Sequence, residues 1–256
     1  MLLVIDVGNT NIVIGLMRDH KVLERWRIST VPRTTDEFGL QLLQLLQHRG
    51  FKPVDVTGVM VSSVVPSTLF NIEKATTRYL GIDAMLVGRG LKTGMRVRTD
   101  NPREVGSDRI VNAVAAMARH APPLVVVDFG TATTFDCVDH NGDYVGGAIA
   151  PGIRISAEAL FQRTSKLPRV EVRKPRAAIG SNTVAAMQSG LFYGYVGLVQ
   201  HLARECKAGL AVEGRPVFCL ATGGFSNLIG HACSEIDDVD RDLTMVGLSL
   251  LYERNS

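Results

Sequence analysis

Two short stretches hold residues whose types and spacing could do chemistry. VIDVGNTN, residues 4–11, and VVDFGTAT, residues 126–133, each end an apolar run in an aspartate and a glycine, with hydroxyl or amide side chains behind. A glycine just past a strand permits a positive φ or a close backbone approach, so that adjacent N–H groups can face phosphate oxygens. An aspartate at that strand end offers an oxygen ligand to a hydrated divalent cation. Either copy alone also reads as an Asx or glycine hairpin turn. The aspartates stand 122 positions apart (128 less 6), and the same offset pairs Gly8 with Gly130 and Asn9 with Thr131. Two copies in equivalent places point to a polyphosphate clasped from two sides. Thr10, Thr131, Thr133, Thr134, Asn9 and Asn11 supply further donors.

Two more stretches could complete such a site. ATGGF, residues 221–225, reads as a strand-to-helix turn, or as a backbone surface on which a flat adenine ring could lie with no Cβ in the way. DNPREVGSDR, residues 100–109, places Ser107 to cap a following helix and leaves Asp108 in its first turn. The helix dipole stabilises a carboxylate there, so Asp108 is expected to stay ionised at neutral pH. It reads as an ordinary first-turn aspartate, or as the base for a hydroxyl attacking a γ-phosphate. Other nucleotide signatures are missing. There is no GxxxxGK(S/T) loop, and GRGLKTG, residues 88–94, has Thr93 where a GxGxxG fingerprint needs its third glycine.

The chain that must position these residues has 256 residues, 46% hydrophobic and 21% charged, enough to bury a sizeable core in one large or two small domains. A net charge of +3 without long basic runs argues against nucleic acid as a partner. MLLVI runs straight into Asp6 with no basic leader, and no apolar span nears the ~20 residues of a membrane helix, so a cytoplasmic protein without a membrane partner is expected. Cys137, Cys206, Cys219 and Cys233 form no CxxC pair and are expected as reduced, mostly buried thiols. His120 and His140 are read as packing or solvated residues.

LLVIDV, NIVIGLM and VLERWRIST read as a three-strand meander. Thr34 and Glu37 form a capping box before an amphipathic helix that closes near Gly50. VTGVMVSSVV is a strand, residues 71–79 a helix, AMLV a short strand, and a helix runs through Ile110, Val114 and Met117. After Pro122 and Pro123, PLVVVDFG, TTFDCVD and DYVGGAI repeat the opening meander. A long helix through VAAMQSGLFYGYVGLVQHLARECKAG, a strand PVFCLATGG and a last helix containing Leu243, Val246, Leu248 and Leu251 follow. The economical reading is an internal duplication, with domains at 1–118 and 119–256.

Two Asp-x-Gly hairpins followed by TGG resemble the phosphate and adenosine elements of the actin, heat-shock-70 and sugar-kinase superfamily. Within it, DVGNTN, SSVVP, DNPREVGSDRIVNA, DFGTATTFD, GGAIAPGI, LPRV with IGSNTVAAMQSG, and TGGF resemble the type III pantothenate kinase family, in order and over essentially the whole chain. The resemblance implies an α/β fold of two duplicated actin-like, ribonuclease H-like domains with an ATP cleft between them. It also implies transfer of the γ-phosphoryl of ATP to the primary hydroxyl of pantothenate, giving 4′-phosphopantothenate at the first step of coenzyme A biosynthesis.

By the same resemblance, ATP meets Asp6, Val7, Gly8, Asn9, Thr10, Asn11, Ile12, Val13, Thr131, Gly223 and Gly224. Asp6 organises Mg²⁺ through water, and Asp128 ligates a monovalent cation, K⁺ or NH₄⁺. Gly106, Ser107, Asp108 and Arg109 contact pantothenate, with Asp108 as general base. Thr183 reaches pantothenate from the neighbouring subunit of a homodimer. One departure stands out: RVRTDNP has Thr99 where relatives commonly carry an aromatic wall of the pantothenate pocket. Two other readings keep the hairpins: another small-molecule kinase, which would need a different acceptor loop, and a silent nucleotide-binding regulator, which would be expected to lack one of the three aspartates.

Overall fold

A computed structural model describes residues 1–88 and 90–256; Arg89, within the GRGLKTG stretch, lies outside them. Contacts divide the chain into two units. The first comprises Met1–Gly94, Arg103–Ala115 and Asp242–Ser256, and the second Met95–Pro102 and Ala116–Arg241.

The first unit is built on β1 (Leu2–Val7), β2 (Asn11–Arg18), β3 (Lys21–Ser29), β4 (Gly58–Ser63) and β5 (Met85–Leu86), in the order β3-β2-β1-β4-β5. β1 pairs antiparallel with β2 and parallel with β4, so β1 is central and its residues are nearly all apolar and buried. One face is covered by α1 (Thr35–His48) and α2 (Pro66–Leu80), where Phe38, Leu42, Leu46 and Ile72 meet Leu3, Ile5 and Ile14. The capping box forms as expected. The Thr34 hydroxyl accepts from the Glu37 N–H at 3.3 Å, and the Glu37 carboxylate accepts from the Thr34 N–H at 2.7 Å. α2 starts earlier than residues 71–79 suggested, because Pro66 occupies its first turn, where a missing N–H costs nothing.

In the second unit β6 (Leu124–Phe129), β7 (Ala132–Val138), β8 (Tyr144–Pro151), β9 (Phe218–Gly223) and β10 (Asp238–Val239) take the order β10-β9-β6-β7-β8. Read from β8, this is the topology of the first sheet, strand for strand, and it bears out the duplicated actin-like fold. α5 (Thr183–Leu210) lies on this sheet and buries Phe192, Tyr195, Val199 and Ala203 against Val125, Val127 and Phe135. The Asn182 side chain caps it by accepting from the Ala185 N–H at 2.9 Å. α4 (Ile153–Arg163) is a helix the sequence reading left irregular; only Ile153 and Ala157 of it are buried, too few to mark a periodic stripe.

The contacts do not follow a single cut after residue 118. After the single-turn α6 (Ser226–Ile229), the last helix, α7 (Leu243–Asn255), buries Leu243, Met245, Val246, Leu248 and Leu251, and packs on β1 and β4 of the first unit. An element so apolar needs a sheet face, and it takes that one. Residues 95–102 join the second unit through β8: Arg98 donates to the Tyr144 carbonyl at 2.7 Å and Tyr144 to that of Arg96 at 2.8 Å. No helix among the described residues is long and apolar enough to cross a membrane.

Candidate active site

In the first unit, the turn after β1 is closed by the Gly8 N–H donating to the Asn11 carbonyl at 3.0 Å. Thr30, just past the end of β3, braces it, its hydroxyl donating to the Gly8 carbonyl at 2.6 Å. Asn9 and Thr10 are exposed at the tip, whereas Val7 and Ile12 are buried in the core. Those two can therefore meet a ligand only through their backbone. Asp6, at the end of β1, sits between Val13 on β2 and Ser62 on β4.

The acceptor stretch leads into α3 (Ser107–Arg119), with Asp108 in its first turn. The expected cap is not what Ser107 makes. Its hydroxyl lies 3.0 Å from that of Ser62 and donates to the Ser63 carbonyl at 3.2 Å, so it ties α3 to the end of β4. Asp6 and Asp108 are thereby linked within one unit: Asp6 pairs with Ser62, Ser62 bonds Ser107, and Asp108 follows. Of the two serines in SSVVP, Ser62 makes this hydroxyl pair, and the Ser63 hydroxyl accepts from the Val65 N–H at 3.1 Å.

The Asp108 carboxylate accepts from the Arg109 N–H at 2.9 Å. Burial raises its pKa above the ordinary carboxylate value, and the Arg109 N–H and guanidinium oppose the shift. Asp108 is thus more basic than an ordinary first-turn aspartate, because the helix start is less solvated than a surface first turn. Gly106 makes room for it: a Cβ there would stand 2.5 Å from Asp108 Oδ1. Thr99 belongs to the second unit, near Gly146 of β8, and its buried hydroxyl has no hydrogen-bond partner among the described residues.

The second hairpin is tighter. Gly130 donates to the Ala132 carbonyl at 3.0 Å, one residue sooner than Gly8 does, and Asp128 faces Thr134 where Asp6 faces Val13. The repeat offset is therefore 122 up to the glycine and 121 from Ala132 onward, so Thr131 stands alone where the first turn has both Asn9 and Thr10. On the other side Asp128 pairs with Thr222 of β9, as Asp6 does with Ser62. Gly223 has φ +90°, and a Cβ on it would overlap Asp128 Oδ1 and stand 2.7 Å from the Phe129 nitrogen. The Gly224 N–H then donates to the Phe129 carbonyl at 3.0 Å. Gly152 was not singled out by the sequence reading; it precedes α4 and is pressed against the Thr131 and Gly130 carbonyls. The Pro-Gly pair in GGAIAPGI was its signal.

Thr183, the first residue of α5, is exposed and lines an open groove of about 820 Å³ with Leu160, Met187, Leu191 and Tyr195. Among the described residues no three His, Cys, Asp or Glu side chains cluster as a metal site. Asp6 and Asp128 each present one carboxylate at a strand end. That suits a cation whose other ligands are water and phosphate oxygens, better than one caged by protein.

The chain is similar to proteins of one family over most of its length. The family model for type III pantothenate kinase matches residues 2–205. The type III pantothenate kinase of Myxococcus xanthus (strain DK1622) is 53% identical over 256 residues, all of this chain and 99% of that protein. Among solved structures, a conserved Baf family transcriptional-activator candidate from Campylobacter jejuni shares the fold with a TM-score of 0.58 at 19% identity, over 98% of this chain and 97% of that one. Inorganic polyphosphate/ATP-glucomannokinase from Arthrobacter sp. strain KM gives 0.53 at 17% identity, over 99% of both chains. At those identities the structures speak for the fold, and the sequence matches speak for the family. On the match across residues 2–205 and the full-length relative, the chain belongs to the type III pantothenate kinase family.

Proposed function

We propose that the protein phosphorylates the primary hydroxyl of pantothenate with MgATP, yielding 4′-phosphopantothenate and ADP, with Asp108 as the general base. The observation that carries this reading is the hydroxyl pair of Ser62 and Ser107, which ties the acceptor loop to the strand beside Asp6. A carboxylate of raised basicity then stands one strand from the carboxylate assigned to Mg²⁺. Phosphoryl transfer has a loose transition state, so positioning and charge neutralisation do most of the work, and the bound cations supply the latter. Asp6 orients the water shell of Mg²⁺, while Gly8, Asn9 and Thr10 present donors to the phosphates. Asp128 holds K⁺ or NH₄⁺, Thr131 meets the phosphate chain, and the turn at Gly223 and Gly224 meets adenosine through its backbone. Gly106, Ser107 and Arg109 hold pantothenate, and Asp108 takes its hydroxyl proton.

The protein acts as a homodimer in which Thr183 completes the partner's pantothenate site. An apolar groove beside Thr183 supports this, as does Ile179, which is next to the lining residue Gly180 and 90% exposed in the single chain. The deciding experiment is phosphoryl transfer from MgATP to pantothenate by the purified protein, in K⁺ and in Na⁺ alone, with the product identified by mass. Phosphopantothenate dependent on K⁺ is the expected result. No product from folded dimer in either salt refutes the substrate.

A further inference from the structure

Arg154 is a cation the mechanism has not used. It stands in the first turn of α4, exposed, and its guanidinium carbon lies 5.7 Å from the ring centre of Phe225, the residue just after Gly224. Two residues before it, Gly152 is pressed against the Gly130 and Thr131 carbonyls, which fixes the start of α4 to the second hairpin. The Tyr195 hydroxyl adds a second tether, donating to the Pro151 carbonyl at 2.6 Å. The helix start that lies against the hairpin turn thus carries a side chain that reaches Phe225, next to the Gly-Gly turn.

Its charge is uncompensated. Arg169 and Arg204, exposed in the same unit, pair with Glu158 and Glu235, but Arg154 has no ion pair or hydrogen bond among the described residues. The first turn of α4 holds no acidic residue, and the positive end of a helix dipole disfavours an arginine unless an anion lies beside it. Phe225 holds the guanidinium face, and its N–H edges remain for oxygen acceptors in the fork that suits phosphate.

We infer that Arg154 binds the phosphate chain of the donor nucleotide, as a further positioning residue of the second unit. The inference rests on the proposed kinase reading for its ligand, and concerns the strength of nucleotide binding rather than the acceptor. Arg154→Gln is expected to raise the KM for MgATP about tenfold, the loss of one exposed charge-assisted contact, with kcat and the KM for pantothenate nearly unchanged. Arg154→Lys keeps the charge and should stay within about threefold of the wild type. Arg154 is exposed, so both variants should melt with the wild type, and a purely structural role would instead move the melting temperature of Arg154→Gln. An unchanged KM in Arg154→Gln, or Arg154→Lys as defective as Arg154→Gln, overturns the inference. If the wild type does not turn over pantothenate, the kinase reading fails by itself. The same comparison is then made by calorimetric titration with MgATP, where the same outcomes apply.

Discussion

The Asp128 carboxylate occupies the space that a side chain on residue 223 would need, and Gly223 is held at φ +90°, so the aspartate and the glycine at the ends of β6 and β9 depend on each other. Gly223→Ala should fail twice. The backbone strain costs about 1–2 kcal/mol, and the added methyl pushes Asp128 out of place. Thermal melting should fall, and the activation by K⁺ proposed for Asp128 should be lost with it. A variant that melts lower yet keeps its full K⁺ response would free Asp128 from the cation.

Gly106 protects Asp108 in the same way. Because a Cβ would stand 2.5 Å from Oδ1, Gly106→Ala should rotate the carboxylate off its Arg109 N–H. Turnover is expected to drop by at least about tenfold, while MgATP binding, measured by titration, stays close to normal.

Asp108→Asn should cut kcat by about 10²- to 10⁴-fold, as removal of a general base does. Its stability should move the other way. The folded pKa of Asp108 is raised, so the folded state binds more protons than the unfolded state between the two pKa values. Stability from this group is therefore lost as pH rises through that window, and the asparagine variant should melt at or above the wild type at neutral pH. Catalysis needs the ionised form, so kcat/KM of the wild type should fall with acidification at a pH above the ordinary carboxylate range. An acid limb at the ordinary value would separate it from Asp108.

A site shared between subunits has a signature in mixtures. Asp108→Asn and Thr183→Glu, each inactive alone, should regain about a quarter of wild-type turnover when unfolded and refolded together, because about half the dimers are mixed and each mixed dimer has one intact site. Absence of rescue, with mixed dimers verified by mass, would confine Thr183 to its own chain.

Thr99 carries a buried hydroxyl without a partner. Thr99→Val keeps the shape and removes the desolvation penalty, so stability should be unchanged or raised by up to about 1 kcal/mol in chemical denaturation. A loss beyond that would mean the hydroxyl has a partner in solution.

Much of the fold was legible because its signals are local. The apolar runs ending at Asp6 and Asp128, the Thr34–Glu37 box and the echo between the two meanders depend on neighbours in the chain, and the paired sheets follow them. α4 was missed because it buries too few residues to print a period, and β10 because two residues cannot alternate. For the candidate site the sequence determined which residue types exist: three aspartates at strand or helix ends, and the glycines beside them. Tertiary structure alone decided their company. Ser107 turned from a cap to β4, Gly223 proved to be space for Asp128, Gly152 to be space for the 130–131 turn, and α7 crossed back to the first sheet. Each of these joins residues far apart in the chain. Such contacts are set by which apolar faces need cover and which backbones can approach, and neither leaves a periodic mark in the residues themselves.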